Sequence, residues 1–178
     1  MYQTEKEIET LKSDVEQLKV AAPSLTTTGT VQNIMTEIKE REDRSKNIII
    51  IGIPEPTSEN TDDRRQVDKT EVLKITKTVN AECPEPVNIF RLGKYNSDKR
   101  RPIKVCFNSQ VPVMSILRNR NNMKSDTIKL YSDQTLQQQA YMRNLKEELK
   151  QRVNDGDKSL CIKYIKGTPK ITSLPPKN

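Results

Sequence analysis

Apolar side chains at Ile8, Leu11, Val15 and Leu18 fall at a-d-a-d spacing with Glu and Lys between them, which predicts an amphipathic or coiled-coil helix over the first twenty residues. Two heptads are marginal alone. Pro23 and the run Thr26-Thr27-Thr28-Gly29 then break the pattern near residues 22–30, because Pro lacks a donor and β-branched residues and Gly are poor helix formers. A second helical stretch carries Val31, Ile34 and Ile38 along one side before a dense charged end, Glu37 to Lys46. A seam this narrow cannot close a globular core. It calls for a partner helix, most simply another copy of the chain, the alternative being a helix folded back on the body.

At Asn47 the period changes. Ile48-Ile49-Ile50-Ile51, closed by Gly52-Ile53-Pro54, predicts a central strand buried on both faces. Val72, Ile75 and Val79 at helical spacing behind Asp62 and Asp63 predict a helix over 62–80, which Cys83-Pro84-Glu85-Pro86 ends. The alternation in 87–93 predicts a strand with one covered face, and Lys94 to Arg101 a basic loop. A partner strand follows over 102–107, then a short helix over 111–123 on Val113, Ile116 and Leu117, then a strand at 128–131. The order is β-α-β-β-α-β, the split βαβ arrangement of RNA-recognition motifs.

Ser132-Asp133 reads as a helix cap for a long helix over 134–154 with Met142, Leu145, Leu149 and Val153 on one side. After the turn Asp155-Gly156-Asp157, residues 160–172 read as a hairpin around Gly167. This α-β-β piece is too small to fold well alone. The expected class is α+β: a coiled-coil arm at 1–45, a ferredoxin-like RNA-recognition motif at 46–132, a small α-β-β C-terminal domain at 133–173 and a Pro-rich tail at 174–178.

Charge sharpens this picture. The formal net charge is +7, but residues 1–45 hold 6 basic and 9 acidic side chains, whereas residues 46–178 hold 25 basic and 15 acidic. Within 91–130 the balance is 10 basic to 2 acidic, the footprint expected where a polyanion docks and releases its counterions. Hydrophobic residues are only 33% of the chain and Trp is absent, so the core must be thin and the modules small.

No histidine occurs, and Cys83, Cys106 and Cys161 are isolated, so neither a zinc site nor a disulfide framework follows. Cys106 and Cys161 lie in apolar runs, where a buried reduced thiol is the plain expectation and fits a reducing compartment. Without a phosphate-cradling Gly loop or a paired set of carboxylates, enzymatic activity is not expected, nor is a cofactor or a small-molecule substrate. The apolar run at Ile48 to Ile51 is too short to span a bilayer, and the N-terminus lacks the order of a signal peptide. An intracellular, cytoplasmic ribonucleoprotein component is expected, with nuclear access left open.

Arg41-Glu42-Asp43-Arg44-Ser45-Lys46-Asn47 running into Ile48 to Glu55, then Phe90-Arg91-Leu92-Gly93-Lys94, Arg101-Pro102-Ile103-Lys104-Val105, Ser132-Asp133-Gln134-Thr135, and Ile162-Lys163-Tyr164 with Gly167, Pro169 and Ile171 form an ordered set over roughly 41–172. In that set the chain resembles the first-open-reading-frame proteins of LINE-type (non-LTR) retrotransposons. The resemblance implies a trimerising coiled coil, an RNA-recognition motif and a C-terminal domain that together coat RNA and act as a nucleic-acid chaperone. The arm is shorter than in that family and is interrupted at Pro23.

An RNA-recognition motif ordinarily stacks bases on aromatics of its two central strands. Here the first strand offers only isoleucines and the third only Phe107. The resemblance therefore implies binding by phosphates and peripheral aromatics in the cleft between motif and C-terminal domain. The candidate contacts are Arg91, Lys94, Arg100, Arg101, Lys104, Arg118, Arg120 and Tyr131 on the motif, with Arg143, Lys163 and Tyr164 beyond it. Arg143 could instead pair with Glu147. Single-stranded RNA is the expected ligand, DNA remaining open, and Ile8, Leu11, Val15, Leu18, Val31, Ile34 and Ile38 are the expected self-association residues of a homo-oligomer, a trimer by the resemblance. The rival reading is a coiled-coil adaptor with an incidental basic face.

Overall fold

A computed structural model describes residues 27–96, 99–157, 159–165 and 167–174. The expected stripe at Ile8, Leu11, Val15 and Leu18 and the break at Pro23 lie outside the described residues, whereas Thr27, Thr28 and Gly29, expected to extend that break, are helical: propensity is a weak preference, and a first helical turn tolerates poor helix formers. The chain divides into two units, Met1–Lys39 and Glu40–Asn178. The fold is mixed α+β with antiparallel sheets.

Helix α1 (Thr27–Ser45) begins in the first unit. Its Val31, Ile34, Met35 and Ile38, at the i, i+3, i+4, i+7 spacing of one helical face, are each 48% to 63% exposed.

The second unit holds a four-stranded sheet of β1 (Asn47–Ile51), β2 (Asn88–Arg91), β3 (Ile103–Cys106) and β4 (Lys129–Ser132). The spatial order is β2-β3-β1-β4 and every neighbouring pair is antiparallel. Helix α2 (Thr61–Val79) joins β1 to β2, and α3 (Gln110–Asn119) with a 3-10 turn (Arg120–Asn122) joins β3 to β4. Both helices close one face. Val72, Ile75 and Val79 of α2 and Val113 and Ile116 of α3 share a single core with Ile48, Ile50, Ile103, Val105 and Leu130. Burying Ile48 or Ile50 completely contributes ~1.5–3 kcal/mol each.

Because both helices lie on the same side, β1 is central yet not buried on both faces. Ile49 is half-buried and Ile51 is 40% exposed. The strand leaves the sheet at Gly52, whose φ of +102° and whose missing Cβ, which would stand 2.1 Å from the Thr127 carbonyl oxygen, require glycine. Helix α2 starts where Asn60 accepts the Asp62 N–H at 2.9 Å, so the side chain caps and Asp62 and Asp63 add charge to the first turn.

Helix α4 (Leu136–Asn154) is followed by the hairpin β5 (Leu160–Ile165) and β6 (Thr168–Ser173). Its cap is Thr135 in a capping box with Gln138, not Ser132-Asp133. Leu145 is its one buried residue among those described, with Met142, Leu149 and Val153 half-buried, and Tyr141 Oη donates to the Pro169 carbonyl at 3.3 Å. Of the cysteines only Cys83 is buried; Cys106 is half-exposed because it alternates away from the packed side of β3, and Cys161 is half-exposed like its neighbours Leu160 and Ile162 on the two-stranded hairpin. No helix among the described residues is long and apolar enough to cross a membrane.

Candidate nucleic-acid interface

Where the start of β1 and the end of β4 meet their flanking helices, a groove of about 580 Å³ opens within the second unit. One side comes from the last turn of α1, where Arg41, Arg44 and Ser45 stand just before the strand. Another comes from α3 and its 3-10 extension, which contribute Arg118 and Arg120 beside the apolar Val113, Met114 and Leu117. Gln134 and Gln138 at the start of α4 and Tyr164 and Gly167 at the tip of the hairpin complete it.

Arg118 and Arg120 are exposed and pair with no carboxylate among the described residues. They sit at the C-terminal end of α3, where cations offset the helix dipole and remain free to meet an anion. Tyr164 is 59% exposed. The groove thus combines cationic forks, an apolar patch, amide side chains and one aromatic ring, groups that suit a phosphate backbone with unstacked bases.

One carboxylate organises the wall. Asp133, 9% exposed, accepts from Lys104 Nζ at 2.8 Å, Arg44 Nη1 at 2.9 Å and Asn47 Nδ2 at 3.1 Å. Burial opposes its ionisation, but the hydrogen bonds from Lys104 and Asn47 and the charges of Lys104 and Arg44 hold its carboxyl below the usual value. Arg44 also reaches Glu40 Oε1 and the Gln134 carbonyl. Its burial is likewise outweighed by Asp133 and Glu40, so its pKa is raised.

The expected contacts therefore separate. Arg118, Arg120 and Tyr164 come together in the groove. Arg91 does not belong there: its side chain is 4% exposed, and its fork donates to Asp68 at 2.9 and 2.7 Å, to Glu55 at 3.1 Å and to the carbonyls of Ile53, Pro54 and Arg101. A guanidinium with every donor used inside the fold has none for phosphate. Arg101 is bound to the same Glu55 at 2.9 Å and stacks over Tyr95, 5.4 Å from the ring centroid. Burial opposes the charge of Glu55, yet the hydrogen bonds from Arg101 and the charges of both arginines keep its pKa lowered.

Lys104 is committed to Asp133, whereas Lys94 is exposed and Arg100, also exposed, donates to the Gly52 carbonyl at 3.1 Å. Tyr131 is 44% exposed on β4. Arg143 on α4 and Lys163 on β5 are exposed and do not line the groove; the i, i+4 pair on α4 is Arg152 with Glu148, not Arg143 with Glu147. Phe107 is 4% exposed and belongs to the core, its N–H bonded to the Lys46 carbonyl.

Sequence reasoning missed Arg41 and Arg44 as groove residues, because the charged helix end looks like arm. The signal was their place immediately before the Asn47 strand. Burial pushes the Cys83 and Cys106 thiols up, away from thiolate reactivity. Among the described residues no cluster of three His, Cys, Asp or Glu side chains could hold a metal ion. No protein-family model matches the chain, and no curated protein matches it.

Proposed function

We propose that this protein binds single-stranded nucleic acid, RNA in the first place, through the groove between the four-stranded sheet unit and the helix-hairpin, as a non-enzymatic, self-associating coat and chaperone. The observation that carries the reading is the pair Arg118 and Arg120, exposed and unpaired among the described residues, beside apolar Met114 and Leu117 and facing a groove that Tyr164 also lines. The β-α-β-β-α-β order with strands arranged β2-β3-β1-β4 supports a ferredoxin-like RNA-recognition motif as the body, and the resemblance to LINE-type first-open-reading-frame proteins supports the coating role. The exposed stripe on α1 supports self-association, by trimerisation in that family.

A salt titration of binding to a mixed-sequence single strand tests this. Affinity should fall steeply with salt, and Arg118→Ala with Arg120→Ala should reduce the log-log slope by about 1.4, at about 0.7 per phosphate contact on a single strand. Tyr164→Ala should weaken binding about tenfold with the slope unchanged, since stacking releases no counterion. The same stripe suits an adaptor that recruits a protein. A salt-insensitive affinity, or none, would favour the adaptor and end the nucleic-acid reading.

A further inference from the structure

The sheet has a second face, and its residues line up. With Ile48, Ile50, Ile89, Val105 and Leu130 packed inward, the alternate residues point outward. Register then sets four of them in one row across all four strands: Phe90 opposite Lys104, Lys104 opposite Ile49, and Ile49 opposite Tyr131. Phe90 and Tyr131 are 42% and 44% exposed, one on each edge strand.

A single exposed ring means little. Two rings in one register row, with cations beside them, mean more. Two residues along β1, Ile51 is paired with exposed Lys129, and Arg100 donates to the carbonyl of the next residue, Gly52. The outward positions 47, 49, 51, 88, 90, 104, 106, 129 and 131 include no carboxylate. Lys104 is neutralised by Asp133, so its stem offers apolar surface between the rings. The groove and the β4 edge also share a residue. Arg120 lines the groove and also a second hollow of about 430 Å³ that is lined by Lys129 and Tyr131.

We infer that the outer face of the sheet is a second lane for the same single strand, with bases stacking on the edge-strand rings Phe90 and Tyr131 and the sugar-phosphate running past Lys129 and Arg100. The lane rests on the nucleic-acid reading of the groove. It differs from the ordinary RNA-recognition motif, in which the two central strands carry the rings. The rings stand three strand spacings apart, ~14 Å. At ~3.4 Å per stacked nucleotide they hold bases at most about four steps apart, with those between lying over Ile49 and the Lys104 stem.

The test uses the full chain and a U-rich strand of about 20 nucleotides. Phe90→Ala and Tyr131→Ala should each weaken binding about tenfold with an unchanged salt slope, and Arg100→Ala with Lys129→Ala should lower the slope by about 1.4. Urea midpoints measured alongside show that the outward substitutions leave the fold intact. Photo-crosslinking of the unaltered protein to an iodouridine-substituted strand gives a readout that needs no variant, and adducts on Phe90 and Tyr131 are expected. If the Arg118 and Arg120 substitutions weaken binding while Phe90→Ala and Tyr131→Ala change it less than twofold, and adducts fall only around Tyr164, the lane is wrong and the groove stands. If the unaltered chain binds no strand, the groove reading fails and takes the lane with it.

Discussion

Replacing Arg91 by Ala separates a fold-holding arginine from a ligand-holding one. The guanidinium, 4% exposed, grips Asp68 with two of its nitrogens and shares Glu55 with Arg101. Removing it leaves Asp68, whose side chain is 12% exposed, with no hydrogen-bonded cation and only the more distant charge of Arg101, whereas Glu55 keeps Arg101 as a direct partner. Breaking a buried pair from one side costs about 3–5 kcal/mol, mostly the penalty of leaving the other charge unpaired. For a chain of this size each kcal/mol moves Tm by ~2–4 °C, so a fall on the order of 10 °C is expected by calorimetry, with a matching fall in the urea midpoint. Arg100→Ala, on the loop that follows β2 and exposed, should change stability by no more than about 0.5 kcal/mol. Arg91→Lys should recover only part, since an ammonium cannot reproduce the bidentate fork. Below the lowered midpoint the folded Arg91→Ala protein should bind single strands with an unaltered salt slope. Stability kept within about 1 kcal/mol together with a reduced slope would refute the reasoning and return Arg91 to the ligand.

The lowered carboxyls of Asp133 and Glu55 predict the acid limb of the stability curve. Because their folded values lie below the ordinary 3.8 and 4.5, the unfolded chain takes up more protons on acidification, so the stabilisation is fully present above about pH 5 and is lost as pH falls through the folded values. Urea midpoints from pH 7 to 2 should show this, and Asp133→Asn should start lower and fall less; a limb of unchanged height would sink the assignment. Glu in place of Ile34 and Ile38 should lower the oligomeric mass in sedimentation while Glu40–Asn178 stays folded, and an unaltered chain that already sediments as a monomer would rule out self-association through α1.

The elements were legible because their signals are local. Four isoleucines in a row before Gly-Ile-Pro can hardly be anything but a strand, and Val72, Ile75 and Val79 set one helix face. What the pattern could not show is which face of the sheet stays open, since that depends on both crossovers landing on the same side. Hence Ile49 and Ile51 looked buried, and Phe107 looked like a stacking ring although it lies one residue past β3 and turns into the core. Asp133 resembled a cap because Asp often caps; Thr135 two residues later takes that role with Gln138, leaving the carboxylate for three partners that lie 29 to 89 residues away in sequence.

The same long-range pairing decides how the basic charge can be used. Ten basic side chains in 91–130 look interchangeable in sequence, yet Arg91, Arg101 and Lys104 are held by Glu55, Asp68 and Asp133. A phosphate could recruit those three only by displacing a carboxylate already in place, at the cost of leaving it buried and unpaired. Seven remain for counterion release, which limits the contribution of this segment to the salt slope to about 5 for a single strand. The carboxylates thus do more than neutralise. By fixing Arg44 and Lys104 on either side of Asn47, Asp133 ties the last turn of α1 to the third strand and so shapes the wall of the groove, while Arg118 and Arg120, unpaired among the described residues, stay available to the anion proposed to bind there.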